Sequence, residues 1–341
     1  MQKPVTVVIT PRDRYSQLEK CVSDLYAHTD ENLFDLIVLD LGYPKADLQM
    51  AIDYLQGRSN YRVIDYGMII PMDAMRRVRD EICTDYAVFM DNDSRVLSDW
   101  LAPLLETAEA TGAAVISPVV LEASGVDEGD DIRTHLFSTE LRVLDVEDEA
   151  FLIEHKTFRR SLPDDLPKEP TETQAFELHC VMFRNDALQE LELPSMTIRE
   201  HLDIGMQLRA KGLKLIVEPR SRVLFDNLGT RARLSDLRFF NLRWNGQITE
   251  KSSRLFEQRW GYKFYSEEAI YLWADRRRAF LILRWLHIPV FFANKIDRVF
   301  SYLRRKIVPV WDPVSDPEGK SSSFYARCPD ATPKQLNHAV Q

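Results

Sequence analysis

Four cysteines in 341 residues, Cys21, Cys83, Cys180 and Cys328, form no C-x-x-C pair, so neither a zinc ribbon nor a disulfide framework organises the chain. Thiols used this sparingly suit a reducing cytoplasm. Long apolar runs are missing too. The most hydrophobic late stretch, residues 279–293, is interrupted by Arg284, His287 and Pro289 and is shorter than the roughly 20 residues that cross a bilayer, so no membrane span is expected. The opening MQKPVTVVIT has no charged lead before an apolar segment, and export is not expected. No internal repeat is visible. No glycine-rich phosphate loop follows the first β-branched run, where Pro11-Arg12-Asp13-Arg14 stands instead; this weighs against a nucleotidyltransferase.

What is present is the composition of an ordinary globular protein, 45% hydrophobic and 28% charged. The length exceeds one usual domain, so an α/β domain of about 230 residues with a smaller appendage is expected. The boundaries fall at 1–230 for the α/β domain, 231–310 for an amphipathic helical region and 311–341 for an irregular tail. A net charge of −9 hides an asymmetry, because acidic residues dominate up to Thr230 whereas 231–306 is rich in arginine and aromatics. Arg276-Arg277-Arg278, the apolar 279–283 and Arg304-Arg305-Lys306 are read as either a helix laid peripherally on the inner face of an anionic membrane or a solvated basic face. No nucleic-acid partner is expected.

Residues 5–10 form a β-branched run that stops at Pro11, and Leu18, Cys21, Val22 and Leu25 follow at helical spacing. The alternation repeats: strand 34–39, a helical stripe through Leu48, Ile52 and Leu55, strand 61–64, helix 72–82, strand 86–90, helix 99–111 and strand 113–117, closed by Pro118. Near-continuous apolar strands separated by helices predict a mostly parallel, Rossmann-like sheet covered on both faces. Residues 122–170 lose periodicity and read as hairpins with a mobile loop. Strand 177–184, helix 198–210 with Gly212 at its C-terminal cap and strand 213–218 follow, and long helices are expected at 234–260, 267–286 and 290–307.

Asp91-Asn92-Asp93 follows the apolar strand 86–90, where open parallel sheets bind ligands. Two carboxylates one residue apart suit a hard divalent cation, which takes oxygen ligands and fills its shell with diphosphate oxygens. The plainer reading is a turn before a helix capped by Ser98.

With 5–11, 34–40 and 85–93 as successive strand segments, and Glu200-His201-Leu202-Asp203, Arg209 and Gly212 at the following distance, the first 225 or so residues resemble family 2 glycosyltransferases. The resemblance implies a GT-A fold, a nucleotide-sugar donor, UDP-linked by preference, a glycan, glycolipid or other hydroxyl acceptor, Mn²⁺ or Mg²⁺ as cofactor, and inversion at the sugar. On that basis Thr10, Pro11 and Arg12 border the nucleobase, Asp40 binds base or ribose, Asp91 lies near ribose and metal, and Asp93 is the main metal ligand. Family members carry Ala-Arg-Asn before the metal strand; here Ala74-Met75-Arg76-Arg77 stands, leaving Arg76 or Arg77 to approach the diphosphate.

The base is expected in Glu200-His201-Leu202-Asp203, where the family's second carboxylate is replaced by histidine. Glu200 and Asp203 share a helix face and rank ahead of His201, whose imidazole titrates near neutral pH. Alternatively these carboxylates only stabilise a helix N-terminus, and the chain is an accessory protein that binds nucleotide or glycan without turnover. The segments around Phe240-Asn241-Leu242-Arg243-Trp244 and Phe256-Glu257-Gln258-Arg259-Trp260-Gly261 resemble a bacterial subset of these enzymes, acting in surface polysaccharide or glycolipid assembly, and are read as packing helices. His179 is read as a buried, hydrogen-bonded histidine ahead of a metal ligand, while Asp226 and Asn227 stand near a further ligand position.

Overall fold

A computed structural model describes residues 3–263, other than Ser98, 124–131, Glu147 and 227–232, with short pieces between 282 and 303 and Lys334–Gln335. The first half alternates as its periodicity dictates: β1 (Val5–Thr10), α1 (Leu18–Ala27), β2 (Phe34–Asp40), α2 (Lys45–Leu55), β3 (Tyr61–Asp65), α3 (Pro71–Val78), β4 (Tyr86–Asp91), β5 (Ser94–Val96) and α4 (Leu101–Thr111). The second half is strand-rich: β6 (Val115–Ala123), β7 (Ile132–Leu136), β8 (Thr139–Val146), β9 (Glu149–Lys156), β10 (Thr171–Glu172), β11 (Cys180–Arg184), α5 (Asn185–Glu190), α6 (Glu200–Ala210), β12 (Leu215–Phe225), α7 (Asp236–Arg243) and α8 (Gly246–Trp260).

The main sheet runs β10-β12-β6-β11-β4-β1-β2-β3, with β5 on β12 and β7 on β6. β1, β2, β3 and β4 are mutually parallel, as are β6 and β12, while β11 is inserted antiparallel between β4 and β6. The chain winds from β1 outward to β3 and then returns to place β4 on the other side of β1. That reversal opens a crevice at the carboxyl ends of β1 and β4, where Thr10 and Asp91 are in register. Fully buried Val, Ile, Leu and Phe from β1, β2 and β4 form the main core, which the apolar faces of α1 and α3 cover.

Several boundaries differ from expectation. Pro118 does not close β6, which continues to Ala123 because its partner gives way: β12 bulges between Glu218 and Arg222, opposite the residue that lacks an N–H. Residues 132–156 form β7 and the β8–β9 hairpin, paired from Thr139↔Lys156 to Val146↔Glu149, within the stretch where hairpins are expected. The helix expected over 234–260 is two helices, since Asn245 restarts it by accepting from the Gln247 and Ile248 amides. The expected helices at 267–286 and 290–307, the tail at 311–341, the Ser98 cap and Asn227 lie wholly or largely outside the described residues. Among the described residues no helix is long and apolar enough to cross a membrane.

Helices α7 and α8 pack onto the sheet domain. Phe239 belongs to the main core, and Phe256 joins Leu141, Leu152, Met196, Leu202 and Met206 in a second cluster that seats α8 against α6 and the hairpin. Helix α6 is itself pressed so closely on the 173–175 segment that follows β10 that a Cβ at Gly205 would stand 2.5 Å from the Gln174 carbonyl oxygen. Gly205→Ala is therefore expected to destabilise by about 1–3 kcal/mol although alanine gains about 1 kcal/mol in helix propensity. A lower urea midpoint at unchanged slope is the measurement that checks it.

Candidate functional site

The crevice holds about 490 Å³ of free space and is lined by Thr10, Pro11 and Arg12 after β1, Met72 and Met75 on α3, Asp91 at the end of β4, Leu178, Thr197, Glu200 and Arg243, among others. The middle residue of the acidic motif builds one wall. Asn92, fully buried, accepts from the Arg12 amide at 3.0 Å and donates to the Arg14 carbonyl at 2.7 Å, while its own amide donates to Thr10 at 2.8 Å. Thus the turn after β4 holds the loop after β1 in place.

Asp91, Asp93 and His179 bring one ligand atom each within 4.8 Å of one another, all three buried. His179 reaches Asp91 because β11, preceded by residue 179, lies antiparallel beside β4: the Asp91 amide donates to the His179 carbonyl at 3.0 Å, and His179 Nδ1 is 3.1 Å from Asp91 Oδ2. Phe225 stacks on the imidazole with centroids 4.1 Å apart, fixing its plane. Asp93 Oδ1 is buried without a hydrogen-bond partner, an expensive arrangement that a cation would relieve. Burial raises both carboxyl groups, Asp91 to about 6 against the pull of Arg12, and Asp93 to about 6 with Asp91 adding to the effect. Burial also pushes the His179 ring well down, so it stays a neutral donor fit for a metal. Two oxygens and one imidazole nitrogen fit a divalent ion.

Arg12 places its guanidinium 2.9 Å from Asp91 Oδ2. Arg243, which the sequence placed in a packing helix, lines the same crevice and donates to Asp13 Oδ1 at 2.6 Å, an oxygen that also accepts from Trp244 Nε1 at 2.9 Å. Asp236 secures the start of α7, accepting from the Tyr15 and Arg233 amides at 2.9 and 2.7 Å. The available signal was the Arg-aromatic pair itself, but its target, Asp13, lies 230 residues away. Arg76 and Arg77, in contrast, are not among the lining residues. Arg76 donates to the Leu193 carbonyl and to Asp73, and Arg77 lies over the Tyr66 ring. Asp40 ends β2 and its Oδ1 accepts from the Gly42 and Tyr43 amides at 2.9 and 2.8 Å, the turn role that competes with ligand binding in its sequence reading. Asp226 is buried next to the motif, its amide donating to the Asp93 carbonyl at 2.8 Å.

Helix α6 distributes its three candidates to three places. It starts after Arg199, whose φ of +64° is rare for a residue with a side chain and turns the chain sharply into the helix. Glu200 then faces the crevice, buried, with Oε2 lacking a hydrogen-bond partner. His201 turns to the hairpin, 3.5 Å from Glu154 Oε1, beside the half-buried pair of Lys156 and Glu177 at 3.0 Å. Burial opposes charge on its ring, but Glu154 wins and raises its pKa. Asp203 is wholly buried against α8, accepting from Arg259 Nε at 2.8 Å, Trp260 Nε1 at 2.7 Å and Gln207 at 2.6 Å. Asp203→Ala would strand these donors and is expected to cost about 2–4 kcal/mol, the partial exposure of Arg259 lowering the figure. Chemical denaturation of the variant tests it.

A family model described as glycosyl transferase family 2 matches residues 6–191. No curated protein matches the chain. Among solved structures, GalNAc-T7 with UDP, GalNAc and Mn²⁺ is 14% identical with a TM-score of 0.49, covering 82% of this chain and 57% of its own. The mannosyltransferase PcManGT from Pyrobaculum calidifontis, in complex with GDP-Man and Mn²⁺, is 11% identical with a TM-score of 0.49, covering 96% of this chain and 82% of its own. The chain thus spans little more than half the length of the first of these.

Proposed function

The chain belongs to glycosyl transferase family 2, and from that premise we propose that it is an inverting, cation-dependent glycosyltransferase that takes its sugar from a nucleoside-diphosphate donor, UDP-linked by preference, and passes it to a hydroxyl of a glycan or glycolipid. The mixed sheet, parallel at its centre and reversed at β11, is the GT-A fold of that family. The observation that carries the proposal is the buried Asp91, Asp93 and His179 cluster, whose Asp91 lines the crevice that Glu200 also lines.

Asp91, Asp93 and His179 would hold the cation, whose chemistry is to neutralise charge on the departing nucleoside diphosphate. Thr10, Pro11 and Arg12 border the nucleotide, and Asp40, steadied by two backbone amides, offers an acceptor to a base N–H or a ribose hydroxyl. Arg12 and Arg243 supply fixed positive charge to the diphosphate in place of Arg76 and Arg77. Glu200, the carboxylate of α6 that faces the crevice, takes the proton of the acceptor hydroxyl as that oxygen attacks the anomeric carbon.

A thermal-shift panel of UDP-, GDP-, dTDP- and CMP-linked sugars with and without Mn²⁺ tests the reading, because a ligand of the native state raises apparent stability. A UDP-sugar is expected to give the largest rise, and only with the cation, followed by release of UDP. Binding with no donor ever consumed would establish the accessory protein instead. Release of pyrophosphate would establish a nucleotidyltransferase.

A further inference from the structure

The two arginines that line the crevice are held in different ways. Arg12 leans on the acidic turn, its guanidinium 2.9 Å from Asp91 Oδ2, so it shares a carboxylate with the candidate cation site. Arg243 is held by a carboxylate outside that cluster. Its Nη1 donates to Asp13 Oδ1 at 2.6 Å, the same oxygen accepts from Trp244 Nε1 at 2.9 Å, and the guanidinium carbon lies 4.6 Å from the centroid of the Trp244 ring. The Arg243 side chain is 5% exposed and that of Asp13 16%, so the pair is shielded from the water and salt that weaken ion pairs at a surface.

Asp13 stands on a backbone that is fixed from two sides. Asn92 accepts from the Arg12 amide at 3.0 Å and donates to the Arg14 carbonyl at 2.7 Å, so the residues before and after Asp13 are both tied to the turn between Asp91 and Asp93. Toward α7, the Arg14 guanidinium donates to the Asp226 carbonyl and the Tyr15 amide donates to Asp236 Oδ1 at 2.9 Å. A carboxylate so placed takes rotamer freedom from Arg243 before any ligand arrives, and its one oxygen occupies only one of the five donors of a guanidinium. A cation already aimed into the crevice loses little further entropy on meeting an anion and need not reorganise as charge develops. We propose that Asp13 is a positioning residue which, with Trp244, aims Arg243 at the diphosphate of the nucleotide; this rests on the glycosyl-transfer reading of the crevice.

The test is calorimetric titration of the full chain with Mn²⁺ and UDP or GDP, whichever the parent binds more tightly, with no sugar to transfer. Arg243→Ala is expected to weaken binding by about 10–100-fold, as the loss of a charged hydrogen bond does. Asp13→Ala should weaken it by about tenfold in the parent but by less than about twofold in the Arg243→Ala background, since a residue that acts through Arg243 then has nothing to act on. Asp13→Asn keeps the accepting oxygen and should recover most of the loss. Trp244→Phe keeps the ring, drops the N–H and should weaken binding by about threefold, which serves if Asp13→Ala fails to fold. Equal losses from Asp13→Ala in both backgrounds would overturn the proposal, because Asp13 would then act on the fold or on the nucleotide without Arg243. Unchanged affinity in Asp13→Ala, or in Trp244→Phe where only that variant folds, would do the same. A parent chain that binds neither nucleotide would instead remove the glycosyl-transfer reading, and this inference with it.

Discussion

Asp93→Ala is expected to remove cation-dependent sugar transfer, by about 10³-fold or more, while the protein stays at least as stable as the parent. The loss follows from the electrostatic role assigned to the cluster, whose removal costs on the order of 10²–10³ for a single donor in comparable sites and more when the cation goes with it. The stability follows from the ground state. Asp93 Oδ1 is buried with no hydrogen-bond partner, and Asp91 lies beside it, so the wild-type side chain is a cost to the fold that alanine removes. Activity lost with stability kept or gained separates a functional residue from a structural one. A pH series sharpens the test. In protein stripped of divalent cation, Asp91 and Asp93 hold protons up to about pH 6, whereas in the unfolded chain they release them near 3.8. The native state therefore binds more protons in that interval, and stability falls as pH rises through it. Mn²⁺ should restore stability above about pH 6 and do little below, and Asp93→Ala should flatten both trends. Urea midpoints across pH, with and without Mn²⁺, read this out.

Glu200→Gln is expected to lower kcat by about 10²–10⁴-fold with donor affinity changed no more than a few-fold. Glutamine keeps the size of the side chain and its place on the crevice wall but cannot accept the acceptor's proton. Asp203→Asn should do the reverse, weakening the junction of α6 with Arg259 and Trp260 on α8 while leaving the pH dependence of kcat in place. His201→Asn should act like Asp203→Asn through the Glu154 contact to β9. If kcat survives in Glu200→Gln and collapses in His201→Asn, the base lies on the imidazole and the geometry of α6 has been misassigned.

Much of this was legible along the chain. The apolar runs 5–10, 34–40 and 86–91 are strands because β-branched and aromatic residues bury both faces of a parallel sheet, and Asp40 and Asp91, which end the second and third, fall at the carboxyl edge of the sheet by that fact alone. Residues 122–170 were not legible in the same way. The β8–β9 hairpin alternates weakly because Leu141 and Leu152 bury against α6 and α8, elements that come tens of residues later. Pro118 misled for a related reason: whether proline ends a strand depends on whether the neighbouring strand can bulge.

The residues by themselves determined the alternating α/β architecture, the family and the acidic turn at Asp91 and Asp93, since each is written in periodicity or in side chains adjacent on the chain. Only the tertiary structure decided that His179 joins that turn, that Arg243 and not Arg76 or Arg77 lines the crevice, and that Glu200 faces it while His201 and Asp203 face the hairpin and α8. Residues one and three apart on a helix point to directions that mean nothing until neighbouring elements occupy them, and those neighbours come from distant sequence.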